Sequence, residues 1–177
     1  MHYSQSLTRN TKATFVTAYQ SPLGTILLHS DGDALTGLRF VSSAYVPVSQ
    51  AVVSGCSSAP ELPIFAQTQQ WLDDYFVGRR PSVSPRIDPH GTPFQRRVWQ
   101  SLFTICYGQT KTYGQIAEMV GCRSARAVGQ AIGRNPIALI IPCHRVVGAN
   151  GSLGGYAYGI DRKIQLLELE KQYAFNT

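Results

Sequence analysis

Ile137-Ala138-Leu139-Ile140-Ile141-Pro142-Cys143-His144-Arg145-Val146 is the stretch around which the rest of the chain arranges itself. Five apolar residues, three of them β-branched, predict a buried strand over 137–141, and Pro142 ends it because proline cannot donate to a sheet ladder. The strand would deliver Cys143 to a rigid corner. His144 and Arg145 follow at once, a base and a fixed positive charge, surroundings that lower a thiol from its ordinary value of about 8.5 toward a nucleophilic thiolate. An isolated cysteine is more often a small buried hydrophobe. Pro-Cys-His-Arg at the end of an apolar run has no such use in a core, and Cys143 is read as a nucleophile.

Downstream, Gly148 to Gly159 is glycine-rich and carries Tyr156 and Tyr158, a loop able to close one wall of a pocket. The final helix is expected from Asp161, as N-cap, to about Gln172. Ile160, Lys163, Ile164, Leu167 and Glu170 share one stripe of it, whereas Asp161, Gln165 and Glu168 face away. Glu170 therefore points toward the core, where a carboxylate needs a partner. With His144 it would complete a nucleophile, a base and an orienting anion. With Lys163 or Arg162 it would form a helix ion pair instead.

Upstream, Tyr113 to Val120 and Ala125 to Arg134 read as short helices joined by the turn Gly121-Cys122-Arg123-Ser124, a helix-turn-helix or a plain helical hairpin. On the second helix Ala125, Val128 and Ile132 form an apolar stripe toward the core. Arg126, Gln130 and Arg134 form a polar stripe, flanked by Ala127, Gly129, Ala131 and Gly133. Small residues beside arginines let a helix approach DNA closely, which favours DNA contact over a merely solvated face. Charge points the same way. Residues 1–90 hold six basic and six acidic side chains, so the whole net charge of +6 lies in residues 91–177, where a polyanionic partner or a solvated basic surface would account for it.

The N-terminal half reads differently. Thr14 to Tyr19, Thr25 to His29 and Leu35 to Val41 are expected as strands of an antiparallel meander, separated by Ser21-Pro22-Leu23-Gly24 and Asp31-Gly32-Asp33. Ser42 to Pro60 has no clear period and is expected as a long connection or weak edge strand. Ile64 to Val77 places Phe65, Trp71, Leu72, Tyr75 and Phe76 at helical spacing before Gly78, a core-forming helix rather than a site. Gly78 to Gly91, with three prolines and two glycines, is the expected linker. Thr92-Pro93-Phe94-Gln95 is a capping box opening a new helix, so the chain is divided into domains 1–88 and 89–177.

At 177 residues and 44% hydrophobic content the chain can build its core without staples. It has neither an apolar run of ~20 residues nor a signal-peptide core in its first twenty positions, so no membrane association is expected. Cysteines at 56, 106, 122 and 143 form no Cys-x-x-Cys pair, and His2, His29 and His90 show no ligand spacing. Free thiols in a reducing compartment and no metal are expected.

Taken in order, Thr92-Pro93-Phe94-Gln95 with Val98-Trp99, Tyr113-Gly114-Gln115-Ile116-Ala117, Arg126-Ala127-Val128-Gly129, Asn135-Pro136, Pro142-Cys143-His144-Arg145-Val146, Gly154-Gly155-Tyr156 and Lys163 to Glu170 resemble the O6-alkylguanine-DNA alkyltransferases, or methylated-DNA–protein-cysteine methyltransferases. The match spans about residues 91 to 171; before it, chiefly Ser21-Pro22-Leu23-Gly24 fits. The resemblance implies an α+β fold with an N-terminal ribonuclease H-like antiparallel sheet domain and a C-terminal winged helix-turn-helix α/β domain. It implies suicidal repair of double-stranded DNA, the alkyl group of O6-alkylguanine, and of O4-alkylthymine, passing from a flipped-out base to Cys143. Flipping is needed because the group lies against the paired base.

What the family pattern assigns residue by residue is as follows. Cys143 attacks, and His144, held by Glu170, takes its proton through a water. Tyr113 and Lys163 help neutralise the departing guanine, Asn135 braces the turn, and the main chain at Val146 and Ala157 reads the base within a pocket that Tyr156 and Tyr158 help to form. Arg126 fills the space of the flipped nucleotide, and Gln115, Ala125, Ala127, Gly129, Gln130 and Arg134 share the DNA face. The resemblance further implies no cofactor, a monomer that can bind DNA cooperatively, and a cytoplasmic place on the nucleoid, or a nuclear one in a eukaryote.

Two positions depart from the pattern. Tyr156-Ala157-Tyr158-Gly159 stands where many members have Tyr-Ser-Gly-Gly or Tyr-Ala-Gly-Gly, so Ala157 lacks a hydroxyl and Tyr158 replaces a glycine with a large ring; bulky adducts should react more slowly than methyl. Cys106 stands where Ile-Pro-x-Gly is usual. Members with an N-terminal zinc carry cysteine near the start, and here none precedes Cys56. Two other classes stay open: a non-catalytic lesion sensor, which would not need Cys143, and a Cys-His-Glu hydrolase, which would not need the Arg126 stripe or show salt-sensitive DNA binding.

Overall fold

Three strands pair as the alternation of the N-terminal half requires. In the computed structural model, which describes residues 14–41, 57–58, 61–79, 81 and 84–174, β1 (Phe15–Ser21), β2 (Gly24–Ser30) and β3 (Leu35–Phe40) are antiparallel neighbours, with Thr17 opposite Leu28 and Leu28 opposite Leu38. The β1–β2 turn closes through the Ser21 hydroxyl, which donates to Gly24 O at 2.6 Å and accepts from Leu23 N. At the next turn Asp31 Oδ1 accepts from Asp33 N and Ala34 N, so both turns use the side chains that their sequences offered. A two-residue β4 (Ser57–Ser58) runs parallel to β1, giving the order β3-β2-β1-β4. The rest of the connection expected over 42–60, Cys56 included, lies outside the described residues.

Period-2 alternation sends Ile26, Leu28, Leu38 and Phe40 inward, a register shift opposite His29 and Ser30 brings Leu35 in as well, and α1 (Pro63–Phe76) covers them with Ile64, Phe65, Leu72, Tyr75 and Phe76. Gly78 ends α1 at φ +71, and a Cβ there would come within 2.0 Å of the Tyr173 ring, so both conformation and close approach require glycine.

In the C-terminal half, α2 (Pro93–Leu102) opens with the expected capping box: Thr92 Oγ1 accepts from Gln95 N, and Gln95 Oε1 accepts from Thr92 N. Trp99, on the buried face of α2, donates its indole N–H to Ala131 O at 2.8 Å. That bond ties α2 to α4 (Ala125–Gly133), which together with α3 (Tyr113–Met119) forms the helix pair. A second capping box, Thr112 with Gln115, starts α3, and Ser124 caps α4 by accepting from Ala127 N. Strand β5 (Lys111–Thr112) runs parallel to β6 (Val146–Val147), and α5 (Ile160–Ala174) ends the described chain.

Four sequence-based expectations change. The run 137–141 is not a strand. Ile137 makes one parallel bridge to Leu38, with Leu38 N donating to Pro136 O and Ala138 N to Leu38 O, both at 2.9 Å. The chain then turns through Leu139 at φ 66. The reason is Asn135, whose Oδ1 accepts from Ile137 N and whose Nδ2 donates to Ile141 O at 2.8 Å, closing the run into a compact loop that packing alone makes apolar. Second, the buried residues of α4 are Val128, Ala131 and Ile132, and Ala125 is exposed. Third, α5 buries Lys163, Leu166 and Glu170, while Ile160 is exposed. Fourth, α5 starts one residue early, so Asp161 lies in its first turn and favours the helix through the dipole rather than as a cap.

Candidate active site

Pro142, at φ −80 and ψ 62, turns the chain into one 3₁₀ turn, Cys143–Arg145, which aims its three side chains in different directions. Cys143 lies at the base of a cavity of about 600 Å³, beside Asn135. Tyr156, Ala157 and Tyr158 supply one wall, Tyr113 another, and Ala125, Arg126, Gly129 and Gln130 of α4 the rim. The cavity thus joins the thiol directly to the exposed face of the second helix of the pair.

His144 turns the other way, into the protein, and is wholly buried. Its Nε2 lies 2.7 Å from Glu170 Oε1, and Glu170 is also fully buried. Glu170 is held from all sides. Arg145 Nε donates to its Oε2 at 2.8 Å and Nη2 to its Oε1 at 2.9 Å, Gly108 N donates to Oε2 at 3.1 Å, and the Tyr75 hydroxyl donates to Oε1 at 2.8 Å. Burial pushes the carboxyl up, but the His144 hydrogen bond and the Arg145 guanidinium outweigh it and hold Glu170 at about 2. An ionised Glu170 requires a proton on His144 Nε2, which leaves Nδ1 with the lone pair. Nδ1 is buried and has no protein partner.

Burial also pushes the Cys143 thiol up, with Asn135, nearby backbone amides and Lys163 pulling the other way. The expectation of a thiolate made by the adjacent cation is corrected here. Arg145 is committed to Glu170 and, through Nη1, to Ile105 O at 2.6 Å. The resting thiol is therefore a protonated group that needs a base, and His144, whose own value burial lowers, is a neutral one.

Lys163 is a buried ammonium that donates to Val146 O and Leu153 O, fastening α5 to β6 and the glycine-rich loop. Neither it nor Arg162 pairs with Glu170. Arg162 donates to Leu23 O, Tyr158 O and Val41 O, and lies 5.2 Å over the Phe40 ring. Phe40 meets Tyr158 edge-on at 5.6 Å, and Tyr158 meets Tyr156 at 5.5 Å, so the cavity wall is braced from the N-terminal sheet. Burial, then Cys143, raises the Tyr158 phenol to about 12, keeping it a neutral wall.

The site residues read from the sequence thus separate. Cys143, Asn135, Tyr113, Tyr156, Ala157, Tyr158, Ala125, Arg126, Gly129 and Gln130 border the cavity. His144 and Glu170 lie behind the thiol, and Val146 and Lys163 fasten the loop. Arg134, the exposed C-cap of α4, and the half-buried Ala127 lie outside the cavity lining, and the Gln115 side chain is engaged in its capping box. Tyr75 and Gly108 were not read as site residues. A tyrosine among core aromatics carries no signal beyond its hydroxyl, and a backbone amide carries none.

A reactive thiol opening onto the polar face of a helix-turn-helix defines a DNA-binding protein that does chemistry on its ligand. Comparison with known proteins gives the family. Residues 15–89 match the 6-O-methylguanine DNA methyltransferase ribonuclease-like domain, and residues 93–172 the DNA-binding domain of the same family. The methylated-DNA–protein-cysteine methyltransferase of Mycobacterium leprae is 49% identical over 152 residues, 85% of this chain and 88% of that one. The Methanosarcina acetivorans protein of the same name is 43% identical over 86% of this chain and 95% of its own. The crystal structure of Mycobacterium tuberculosis OGT in complex with DNA matches at TM-score 0.80 and 42% identity, over 90% of this chain and 94% of that one. The chain belongs to the 6-O-methylguanine DNA methyltransferase family.

Proposed function

We infer that the protein repairs double-stranded DNA by moving the alkyl group of O6-alkylguanine, and of O4-alkylthymine, onto its own Cys143, once per molecule. The observation that carries this reading is the position of Cys143: at the base of a cavity rimmed by Arg126, with a charge-buttressed histidine behind it. The chain divides in this reading into a supporting domain, 1–88, and a DNA-binding alkyl-acceptor domain, 89–177. It works as a monomer, able to bind DNA cooperatively, in the cytoplasm on nucleoid DNA or in a nucleus. Among the described residues no helix is long and apolar enough to cross a membrane.

The base enters the cavity by flipping, and the Arg126 guanidinium takes its place in the stack. Gln130, Arg134 and the small residues Ala125, Ala127 and Gly129 let α4 lie close to the DNA, with Gln115 at the start of α3 beside them. The thiol proton passes through a water to His144 Nδ1. Glu170 stabilises the imidazolium that results. The sulfur then attacks the alkyl carbon in line: the S–C bond forms, the C–O6 bond breaks, and the electron pair leaves with guanine. Tyr113 and the positive field of Lys163 offset that charge, and guanine recovers a proton. The thioether has no leaving group that water can displace under mild conditions, so Cys143 is not regenerated.

Intact-protein mass after incubation with a duplex carrying one O6-methylguanine tests the reading. One methyl on the Cys143 peptide and never a second on the protein is expected. Unchanged mass with tight lesion binding would make the protein a sensor; unchanged mass without binding would revive the hydrolase.

Two further results are expected. Arg126→Ala should slow transfer from duplex DNA by about 10- to 100-fold, since unstacking a base costs a few kcal/mol, while transfer from the free base is unchanged. Equal losses on both substrates would contradict a flipping role. Tyr158→Gly should accelerate transfer of benzyl several-fold and of methyl little, because it removes a ring from the cavity wall. Identical benzyl rates in the two proteins would show that this wall does not limit adduct size.

A further inference from the structure

Glu170 is fully buried, and its protein donors come from several parts of the chain. Arg145 is from the same turn as His144, Gly108 is from the loop before β5, and Glu170 itself is on α5. The fourth partner, Tyr75, is the contribution of the N-terminal sheet domain, carried in from α1 across 95 positions of sequence. We propose that Tyr75 is a positioning residue for alkyl transfer, which sets the orientation and proton affinity of His144 by donating to the same Glu170 oxygen that His144 uses. The proposal rests on the functional reading above and extends it to the N-terminal domain.

The geometry leaves the hydroxyl little choice. Tyr75 is stacked on Trp71 at 5.3 Å and 11°, and meets Phe76 and Tyr107 edge-on at 5.3 and 5.7 Å, so its ring is clamped on three sides. Its oxygen lies 2.8 Å from Glu170 Oε1 and 3.4 Å from His144 Nε2. A phenol has one proton, and the shorter contact to an anion takes it. The oxygen's lone pair then faces Nε2–H, which favours the tautomer with its proton on Nε2 and its lone pair on Nδ1. Because Oε1 shares its charge between Tyr75, Arg145 and His144, it attracts the imidazolium less than an undressed carboxylate would. His144 thus stays unprotonated to a lower pH and available as a base.

The groups facing His144 are Glu170 and Lys163 from α5, Arg145 from its own turn, Tyr75 from α1, and Cys143. Arg145 and Lys163 disfavour its charged form, and Glu170 favours it. Tyr75 decides how much of the Glu170 charge His144 meets. Without its hydroxyl, the carboxylate would pull harder and His144 would titrate at higher pH.

Tyr75→Phe keeps the ring and its packing and removes only this donor. Single-turnover transfer of methyl from a duplex carrying one O6-methylguanine, followed from pH 5.5 to 8.5, is expected to be roughly tenfold slower near neutrality, with unchanged DNA affinity. Its acid-side midpoint should move up by about half a pH unit or more. The NMR titration of the His144 ring in the DNA-free protein should show the same upward shift. A merely structural role would change neither midpoint, and coincident midpoints in the two proteins would overturn the proposal. If the wild-type protein transfers nothing, the functional reading fails separately, and the His144 titration still decides whether Tyr75 tunes the pair.

Discussion

Cys143→Ala is expected to abolish alkyl transfer altogether while leaving recognition of the lesion in place. Of the groups that would hold the flipped base, Asn135 bonds the thiol but is anchored independently by its bonds with Ile137 N and Ile141 O, and those bonds together with the backbone shape the turn. Losing one buried sulfur should lower stability by only about 1 kcal/mol. The variant should therefore retain lesion-containing duplex in a binding assay, with salt sensitivity like that of the parent, and show no mass change over hours. Residual methylation of the variant would mean that another residue, Cys106 or Cys122 among the described thiols, accepts the group.

Glu170→Gln should have the next largest effect, on rate and stability together. The amide is no counter-ion for Arg145 or for a developing imidazolium, and its NH₂ group can face His144 and reverse the tautomer. A drop in transfer rate of about 10²- to 10³-fold is expected, as for other bases deprived of an orienting anion. Removing one partner from a buried ion pair costs roughly 3–5 kcal/mol. The depressed carboxyl gives a similar figure: a fall from 4.5 to about 2 corresponds to about 3 kcal/mol.

That contribution is fully present above pH 4.5, where the carboxylate is ionised in both folded and unfolded chains, and fades as pH falls toward 2. His144 adds to the same trend at milder pH, because its folded value lies below 6.5 and the unfolded chain binds the proton more readily. Urea unfolding of the wild type should show stability declining first below about pH 6.5 and then more steeply below 4.5. In Glu170→Gln the lower stage should flatten. An unchanged acid slope in the variant would remove Glu170 from the account.

The parts legible in the sequence were those where local chemistry and tertiary structure agree. Thr92 and Gln95 announce a helix start, Pro142 a turn at Cys143, and the phase of α5 places Glu170 inward although it puts Leu167 rather than Leu166 on the buried stripe. The strand expected over 137–141 failed because β-branched residues suit any buried extended or turning backbone. What decided its shape was Asn135, two positions outside the run. Arg145 was read from its neighbour Cys143, yet a side chain that long answers to what lies within its reach, and α5 put a carboxylate there. Tyr75 was invisible for the opposite reason. Its ring does what a core aromatic does, and the one atom that matters is a hydroxyl whose partner lies in the other half of the chain.

The outer edge of β3 is shared by two separate stretches: Leu35 exchanges hydrogen bonds with Arg86 and Asp88, and Leu38 with Pro136 and Ala138. A chain severed just after Asp88 would keep the Leu35 bridge within its first fragment and leave the two Leu38 hydrogen bonds to be made only when the second fragment returns. The first would carry Tyr75 and the β3 edge that receives the loop before Cys143; the second would carry the thiol. Reassociation would return the Tyr75 donor to Glu170 and the Phe40 contact to the cavity wall in the same event.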